Sequence, residues 1–134
     1  MLHKVVIGID GSAGSDRALD WCVRAFSDTE TEILLVSCRV AREQLGDAAE
    51  RELVQMAEHH LKVAGAKLEA AGLAFRHQLV SGDARSVLLD VARTEDAELI
   101  VVGSRGRSPL TQLVLGSVAS YLTHHSPYPV TIVR

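Results

Sequence analysis

Apolar positions along the chain of 134 residues form short runs, and longer segments with a helical spacing separate these runs. The third run alternates between apolar and polar residues, whereas the others are almost continuously apolar. They cover residues 5–9, 33–36, 75–80, 99–102 and 130–133. A short, continuous apolar run is typical of a strand that is buried on both faces, as in parallel sheets. The pattern therefore predicts five mainly buried strands.

The segments between the runs repeat apolar residues at steps of three or four positions, which predicts four helices. The first helix is expected over residues 15–26. Its apolar face comprises Ala18, Leu19, Cys22, Ala25 and Phe26. The second helix is long: Asp47 and Glu50 have the spacing of a capping box at its start, and Gly72 is expected to end it.

The third predicted helix follows Asp83, and the fourth begins near Gly116 and ends before Pro127, which cannot continue a helix. Strands and helices then alternate, and no linker or repeat interrupts residues 1–134, which predicts one domain. Right-handed crossovers arrange this order as an open five-stranded parallel sheet with helices on both faces, a Rossmann-like α/β fold. Ligands of such sheets bind beyond the carboxyl ends of the strands, where the strand order reverses.

Composition and charge narrow the class of partner. Hydrophobic residues make up 47% of the chain and charged residues 23%, as in globular domains with a core. A net charge of −3 and the lack of any run of Lys or Arg argue against nucleic acid. No segment approaches the roughly 20 apolar residues that cross a bilayer, and the N-terminus does not resemble a secretory signal. A cytoplasmic protein without membrane or nucleic-acid partners is therefore expected.

Two glycine-rich segments carry the strongest chemical signal. Gly103-Ser104-Arg105-Gly106 follows the fourth strand, and nine residues separate it from Gly116-Ser117. Glycine permits positive φ angles and a close approach of a ligand, so the first segment can turn successive N–H groups towards an anion. The second segment would add the free N–H groups and the positive dipole end of a helix, and the Ser117 hydroxyl is a further donor. Arg105 and Arg107 would supply cations.

The first strand leads into Gly8-Ile9-Asp10-Gly11-Ser12, which contributes a carboxylate to the same end of the predicted sheet. Phosphates would repel this carboxylate, so Asp10 is assigned to the sugar, where it would accept hydrogen bonds from ribose hydroxyls. The alternative is that Asp10 only caps the turn or helix that follows. We favour the ribose role because the first and fourth strands are expected to be neighbours.

Familiar catalytic and nucleotide-binding motifs are absent from the sequence. Residues 8–14 lack the Gly-x-Gly-x-x-Gly of Rossmann dinucleotide sites, and none of the three lysines completes a P-loop. His59-His60 and His124-His125 are adjacent on predicted helices, so their side chains diverge and no metal site is expected. No Ser/His/Asp or Cys/His set can be assembled. We therefore expect a binding protein without catalytic residues or a metal centre.

With these motifs the chain resembles the universal stress protein family over residues 4–134. The resemblance rests on residues 5–12, 81–84, 100–106, 115–119 and 129–133. The spacing Gly-x2-Gly-x9-Gly-Ser is similar to that of the family's ATP-binding branch, so ATP is the ligand that the resemblance implies. Binding of ATP with or without Mg²⁺ stays open, because no carboxylate near the glycine-rich segments is an obvious ligand.

The resemblance further implies the strand order 3-2-1-4-5 and a non-enzymatic role linked to stress. In the ATP-binding branch, the counterpart of Asp10 meets the ribose. The backbone around Gly8-Ile9 and Ser37 would flank the adenine. The residues whose counterparts hold the phosphates are Gly103, Gly106, Gly116, Ser117 and Val118.

The resemblance also implies a homodimer through the last strand, which starts at Val130 and reaches Arg134. An exposed edge strand is a pairing surface, which gives the same expectation on physical grounds. Two other functions stay open as alternatives: a dimeric stress protein that does not bind nucleotide, and a slow ATPase or flavin-binding relative on the same fold. No motif indicates a signalling partner.

Overall fold

The structure, a computed structural model, describes residues 1–40, 46–106 and 114–134. Strands and helices alternate through these residues, as the apolar pattern predicts. The strands are β1 (Lys4–Gly8), β2 (Glu32–Arg39), β3 (Ala74–Ser81), β4 (Leu99–Gly103) and β5 (Val130–Val133). The helices are α1 (Ala13–Phe26), α2 (Asp47–Ala70), α3 (Ala84–Thr94) and α4 (Ser117–His125).

All five strands pair in parallel in the order β3-β2-β1-β4-β5, which confirms the predicted fold class and strand order. The central strand β1 sets the register, with Val6 opposite Leu34 of β2 and Ile100 of β4. The strand order reverses between β1 and β4, because the chain leaves β1 towards β2 and later returns on the other side. The loops after β1 and β4 diverge at this point and leave a crevice.

The sheet separates two apolar layers, as expected for strands that are buried on both faces. Val5 and Ile7 of β1 belong to the layer covered by α1 and α2, whereas Val6 belongs to the layer covered by α3 and α4. All three side chains are fully buried. Burial of one such side chain contributes roughly 1.5–3 kcal/mol, so the two layers hold the sheet firmly beneath the crevice.

Two local features of the helices differ from the expectation. Asp47 and Glu50 do not form a capping box, because α2 begins at Asp47 and its N-cap is Gly46, which has no side chain to accept a hydrogen bond. The Glu50 carboxylate instead pairs with Arg39 at the end of β2. Ala25 is exposed, since it lies at the edge of the buried face of α1 in the last turn.

Candidate functional site

A cavity of about 540 Å³ opens at the carboxyl ends of β1 and β4, where the strand order reverses. Its volume is in the range of small-molecule and cofactor sites. The end of β2 and the first turns of α3 and α4 complete its wall. The predicted site residues that line the cavity are Gly8, Ile9, Asp10, Gly103, Arg105, Gly106, Gly116, Ser117 and Val118. The fold therefore brings most of the predicted residues together.

The end of β2 contributes Val36 and Cys38 to the cavity, whereas the predicted Ser37 is buried and does not line it. The carbonyl of Val36 accepts a hydrogen bond from the N–H of Ile9 at 2.8 Å. In a parallel sheet, residues two positions apart on a strand face the same neighbour. Cys38 therefore directs its N–H and C=O to the side that β1 has left, which is the crevice.

The wall around Gly8 is apolar. A Cβ at residue 8 would lie 3.3 Å from Leu88 of α3 and 3.7 Å from Val102 of β4, so these side chains reach the backbone of β1 closely. Burial, and to a smaller extent the charge of Asp83, raises the pKa of the Cys38 thiol to about 12. The thiol is thus protonated at neutral pH and acts as one more apolar group. This part of the cavity suits a flat, hydrophobic ring.

The loop after β1 holds Asp10 at the cavity in a defined turn. The Oδ1 atom of Asp10 accepts a hydrogen bond from the N–H of Ser12 at 2.9 Å, and Gly11 supplies the φ of +79° that the turn requires. Asp10 thus caps the turn that follows β1, which was the alternative to a role in ribose binding. It also lines the cavity, so both roles are compatible with its position. The N-cap of α1 is Ser12, whose hydroxyl accepts from the N–H of Ser15 at 3.1 Å.

Gly103 and Gly106 serve close packing, not a positive φ. Neither residue adopts the left-handed conformation, so the expected nest of successive N–H groups does not arise from these glycines. A Cβ at residue 103 would lie 2.6 Å from the backbone of Gly14 in α1. A Cβ at residue 106 would lie 2.9 Å from the Oδ2 atom of Asp10. The two glycines therefore let α1 and the Asp10 carboxylate approach the loop.

Ser104, another predicted ligand contact, supports the loop from inside the protein. Its N–H donates to the carbonyl of Val133 at 2.8 Å, and its carbonyl accepts from the N–H of Gly116 at 2.6 Å. The residue is buried and does not line the cavity, because both backbone groups are engaged away from it. A Cβ at residue 116 would lie 3.2 Å from the Cα of Arg105, so a glycine here lets α4 start against the loop.

The first turn of α4 presents three backbone donors at the cavity. The N-cap is Gly116, which has no side chain to accept from them, and its carbonyl accepts from Ser120 at 2.9 Å. The N–H groups of Ser117, Val118 and Ala119 therefore have no acceptor in the described part of the chain. All three residues line the cavity. Free donors and the positive end of the helix dipole together favour an anion at this position.

The charges at the cavity come from a small number of residues. Arg105 lines it, and Asp10 is the only carboxylate among the described lining residues. Arg107, the second predicted cation, lies outside the described residues. An arginine beside three backbone donors makes the α4 end of the cavity suitable for phosphate oxygens, and Asp10 makes its own position suitable for hydroxyl groups.

Gly14 is a site-supporting residue that the sequence analysis missed. A Cβ at residue 14 would lie 2.2 Å from the carbonyl oxygen of Arg105, so α1 packs directly against the glycine-rich loop. No signal in the sequence indicated this role, because the helix was expected to begin at residue 15. In the structure Gly14 lies in the first turn of α1, where glycine is unfavourable unless another backbone comes close. Leu88 and Ala119 also line the cavity and were not predicted to do so, because the helical spacing of apolar residues indicates only a face packed in the core.

The described residues show neither a cluster of metal ligands nor a membrane-spanning helix. In residues 1–40, 46–106 and 114–134, no group of three His, Cys, Asp or Glu side chains could hold a metal ion. In the same ranges, no helix has the length and apolarity to cross a bilayer. The His124 side chain is engaged locally, with its Nδ1 atom 2.8 Å from the carbonyl of Ser120.

Fold and cavity define a doubly wound α/β protein with a crevice where its strand order reverses, bordered by the first turn of a helix. A model of the universal stress protein family matches residues 1–134, and the chain belongs to this family. It is similar to the universal stress protein YxiE of Bacillus subtilis, with 30% identity over an alignment of 150 positions that covers all of both chains. It is 33% identical to the universal stress protein Rv2624c of Mycobacterium tuberculosis, and it spans only 48% of that protein's length.

Solved structures share the same fold. The hypothetical protein MJ0577 superposes with a TM-score of 0.89 at 23% identity, over 99% of this chain and 96% of that one. A universal stress protein in complex with cAMP has a TM-score of 0.69 and 26% identity, over 99% and 97% of the two chains. A family member from Arabidopsis thaliana with AMP bound has a TM-score of 0.72 and 22% identity, over 98% and 90%.

Proposed function

We propose that the chain binds ATP in the cavity at β1 and β4 and acts as a regulatory, non-enzymatic module in a stress response. The first turn of α4 carries this proposal. Its N–H groups at Ser117, Val118 and Ala119 reach the cavity without an acceptor in the described chain. The N-terminal N–H groups of a helix bind anions readily when no protein group accepts from them, and a phosphate chain offers an acceptor to each of them.

The phosphates are assigned to the α4 end of the cavity. Charge-assisted hydrogen bonds from N–H groups to phosphate oxygens are worth roughly 1.5–3 kcal/mol each. The Ser117 hydroxyl and the Arg105 guanidinium add donors beside the three backbone groups. These donors can hold the oxygens of a phosphate chain, and the triphosphate is proposed from the spacing Gly-x2-Gly-x9-Gly-Ser and not from their number.

The ribose is assigned to Asp10. Its carboxylate lies beside Gly106, at the junction between the loop after β1 and the loop that leads to α4. A carboxylate offers about four acceptor positions, enough to hold the turn through Oδ1 and to receive sugar hydroxyls as well. Asp10 therefore stays the proposed ribose contact.

The adenine is assigned to the apolar wall at the end of β2. Cys38 directs one backbone donor and one backbone acceptor into the crevice, and this pair replaces Ser37 as the proposed contact. The edge of adenine offers a matching amino donor and ring-nitrogen acceptor. Val36 and Leu88 supply apolar surface beside it.

Relatives support an adenine nucleotide as the class of ligand. A universal stress protein that is 26% identical to this chain is in complex with cAMP, and a fold relative has AMP bound. Both ligands share the adenine, the ribose and one phosphate with ATP. The spacing Gly-x2-Gly-x9-Gly-Ser, which resembles that of the family's ATP-binding branch, is the feature of this chain on which the choice of ATP rests.

The same cavity argues against fast phosphoryl transfer. P-loop enzymes combine a lysine on the phosphates with a residue that positions the attacking water. No lysine lines the cavity among the described residues, and Asp10, the lining carboxylate, is assigned to the sugar. Slow hydrolysis stays an alternative, as does a metal ion bound mainly through phosphate oxygens and water.

Identification of the bound nucleotide tests the proposal. Protein as purified is denatured, and any released nucleotide is identified by chromatography. Titration calorimetry with ATP, AMP and FAD, each with and without Mg²⁺, then ranks the ligands. We expect ATP to bind most tightly. Absence of ATP binding under both conditions would favour the stress protein that leaves its site empty, and tighter binding of FAD would favour the flavin alternative.

We also propose that the chain forms a homodimer through β5. This strand lies at the edge of the sheet, and each residue from Val130 to Val133 is half-buried. An unpaired strand edge exposes N–H and C=O groups that a second copy can pair with. Light scattering at micromolar concentration should give the mass of a dimer, and a monomer alone would contradict this proposal. The cytoplasmic location stays a prediction.

A further inference from the structure

The imidazole ring of His60 packs against the turn that carries Asp10. A Cβ at residue 11 would lie 2.3 Å from the Cε1 atom, 2.5 Å from Nε2 and 2.6 Å from Nδ1 of His60. The ring and the Cα of Gly11 are therefore in direct contact. Through this contact α2, which contributes no described residue to the cavity wall, reaches the site.

The contact is one of shape, without a hydrogen bond. The Nδ1 atom of His60 is buried and has no hydrogen-bond partner in the described chain. A buried polar atom without a partner reduces stability. Stability alone therefore does not explain a histidine at this position. We look for its role in the Gly11 turn, which its ring covers.

The position of the ring is set by the packing of α2. Leu61, the next residue, is 1% exposed, and Leu68 two turns later is fully buried in the same apolar layer. At its first turn, α2 is joined to β2 through the ion pair between Glu50 and Arg39. Contacts before and after His60 along α2 thus fix the helix, and the ring limits how far the Gly11 turn can move.

We infer that His60 is a positioning residue for ribose recognition, an inference that rests on the proposed binding of ATP. Glycine at φ +79° is the most permissive residue in the turn, so it needs an external constraint to keep one conformation. The hydrogen bond from Ser12 to Asp10 restrains the turn from within. The His60 ring restrains it from outside and holds the Asp10 carboxylate where the sugar hydroxyls meet it.

A comparison of ATP with 2′,3′-dideoxy-ATP tests this role, because only ATP carries the ribose hydroxyls. By titration calorimetry, the wild-type chain should prefer ATP by roughly tenfold or more, since the lost bonds are made to a charged group. In His60→Ala the preference should nearly vanish, while the affinity for 2′,3′-dideoxy-ATP changes little. His60→Phe should retain the preference, because a ring of similar shape still covers Gly11.

His59→Ala is the matched control, since His59 is an exposed neighbour on the same helix and should change neither affinity. Thermal melting of each variant verifies that it is folded. Equal loss of affinity for both nucleotides in His60→Ala, or an undiminished preference for ATP, would overturn the inference. Equal binding of both nucleotides by the wild-type chain would overturn it together with the ribose role of Asp10. Failure of the wild-type chain to bind ATP would instead overturn the proposed function on which the inference rests.

Discussion

Helices α1 and α4 both begin at the edge of the sheet that carries the cavity, yet their N-termini are completed differently. Ser12 caps α1 and accepts a hydrogen bond from the N–H of Ser15 at 3.1 Å. Gly116 caps α4 and has no side chain to offer. The first donors of α4, at Ser117 and Val118, are therefore left for another acceptor.

The surroundings of the two N-termini also differ, since one packs tightly against the protein and the other borders the cavity. In α1, Gly14 brings the helix against the glycine-rich loop, where a Cβ at this residue would meet the carbonyl of Arg105 at 2.2 Å. In α4, the first turn borders an open cavity. The comparison shows that a side chain caps one donor of α1, whereas no side chain caps α4, the helix end to which the phosphates are assigned in the proposal.

The largest expected effect comes from a side chain at the N-cap of α4. We expect Gly116→Val to abolish ATP binding, because the new side chain would meet Arg105 and the carbonyl of Ser104 at 3.2–3.3 Å and separate the loop from the helix. Loss of two or more phosphate contacts costs several kcal/mol, at roughly 1.5–3 kcal/mol each. Titration calorimetry measures the loss.

Gly46→Val is the matched control for this variant. Gly46 is also the N-cap of a helix without a side-chain cap, and no described atom lies within 4 Å of the place of its Cβ. This variant should bind ATP normally. Normal binding by Gly116→Val would show that the loop and the start of α4 do not hold the phosphates.

A smaller effect is expected from removal of the two donors of Ser117, its N–H and its hydroxyl. Ser117→Pro places proline at the first helical position, where it is well tolerated, and the extended Gly116 before it (φ −64°, ψ 166°) suits the change. ATP affinity should fall by about a hundredfold, and the part due to the N–H alone should be about tenfold or more, the range for one charge-assisted bond.

Two variants isolate the contribution of the N–H group. Ser117→Ala removes only the hydroxyl, so it should reduce affinity less than Ser117→Pro. Asp47→Pro makes the same change at the start of α2, after a glycine of similar conformation (φ −63°, ψ 163°), and should leave affinity unchanged. Equal affinities for wild type and Ser117→Pro would indicate that the N–H of residue 117 does not contact the nucleotide.

A change at the N-cap of α1 should mainly lower the stability of the fold, and it should reduce ATP affinity less than Ser117→Pro does. Ser12→Ala removes the cap, which should lower the free energy of unfolding by about 1 kcal/mol. Urea denaturation measures this change. The reduction of ATP affinity should be smaller than in Ser117→Pro. The reverse ranking of the two variants would contradict the division of roles between the two helix ends.

The smallest effect is expected at the opposite edge of the sheet, where charges are paired within the protein. Arg76 hydrogen-bonds to Glu95 at 2.7 Å and to Glu32 at 3.1 Å, and Lys4 approaches Glu95 at 3.5 Å. The hydrogen bond from Arg76, followed by the charges of Arg76 and Lys4, lowers the pKa of Glu95 below its usual 4.5.

A lowered pKa in the folded state stabilises the fold above the unfolded-state pKa, and this stabilisation is lost as the pH falls through the folded-state pKa. Stability should therefore decrease as the pH falls below the usual carboxyl pKa of 4.5. Glu95→Gln should make this decrease shallower and leave ATP affinity at neutral pH unchanged. Urea midpoints at several pH values measure the effect, and identical pH profiles for both proteins would contradict it.

Most of the fold was predictable from the sequence, because its signals are local. Continuous apolar runs indicated buried parallel strands, and the glycines after the first and fourth strands indicated the edge that carries the cavity. The strand order rested on the family resemblance. The failed capping box at Asp47 shows the limit of such signals, since the same acidic residues also suit the first turn of a helix that begins one position earlier, at Asp47 itself.

The composition of the site was predictable only in part, because it depends on tertiary contacts. Ser37 was expected beside the adenine from the family resemblance. A continuous apolar run does not reveal which residue faces which neighbouring strand, so it could not show that Cys38 lines the cavity and Ser37 does not. Gly103 and Gly106 line the cavity, and their contact with a nucleotide stays a prediction. The positive φ that the predicted nest needs is absent at both, and neighbouring atoms instead leave little room for a Cβ there. The contact between His60 and Gly11 joins segments far apart in the chain, which spacing cannot show.

The backbone amides of α4 provide the most direct test of the central claim. In ¹H–¹⁵N spectra recorded during titration with ATP, the signals of Ser117, Val118 and Ala119 should move strongly, as expected for new hydrogen bonds to phosphate oxygens. Addition of adenosine, which lacks phosphates, should leave these three signals nearly in place. Saturation with ATP without movement of these amides would contradict the assignment of the open helix end to the phosphates.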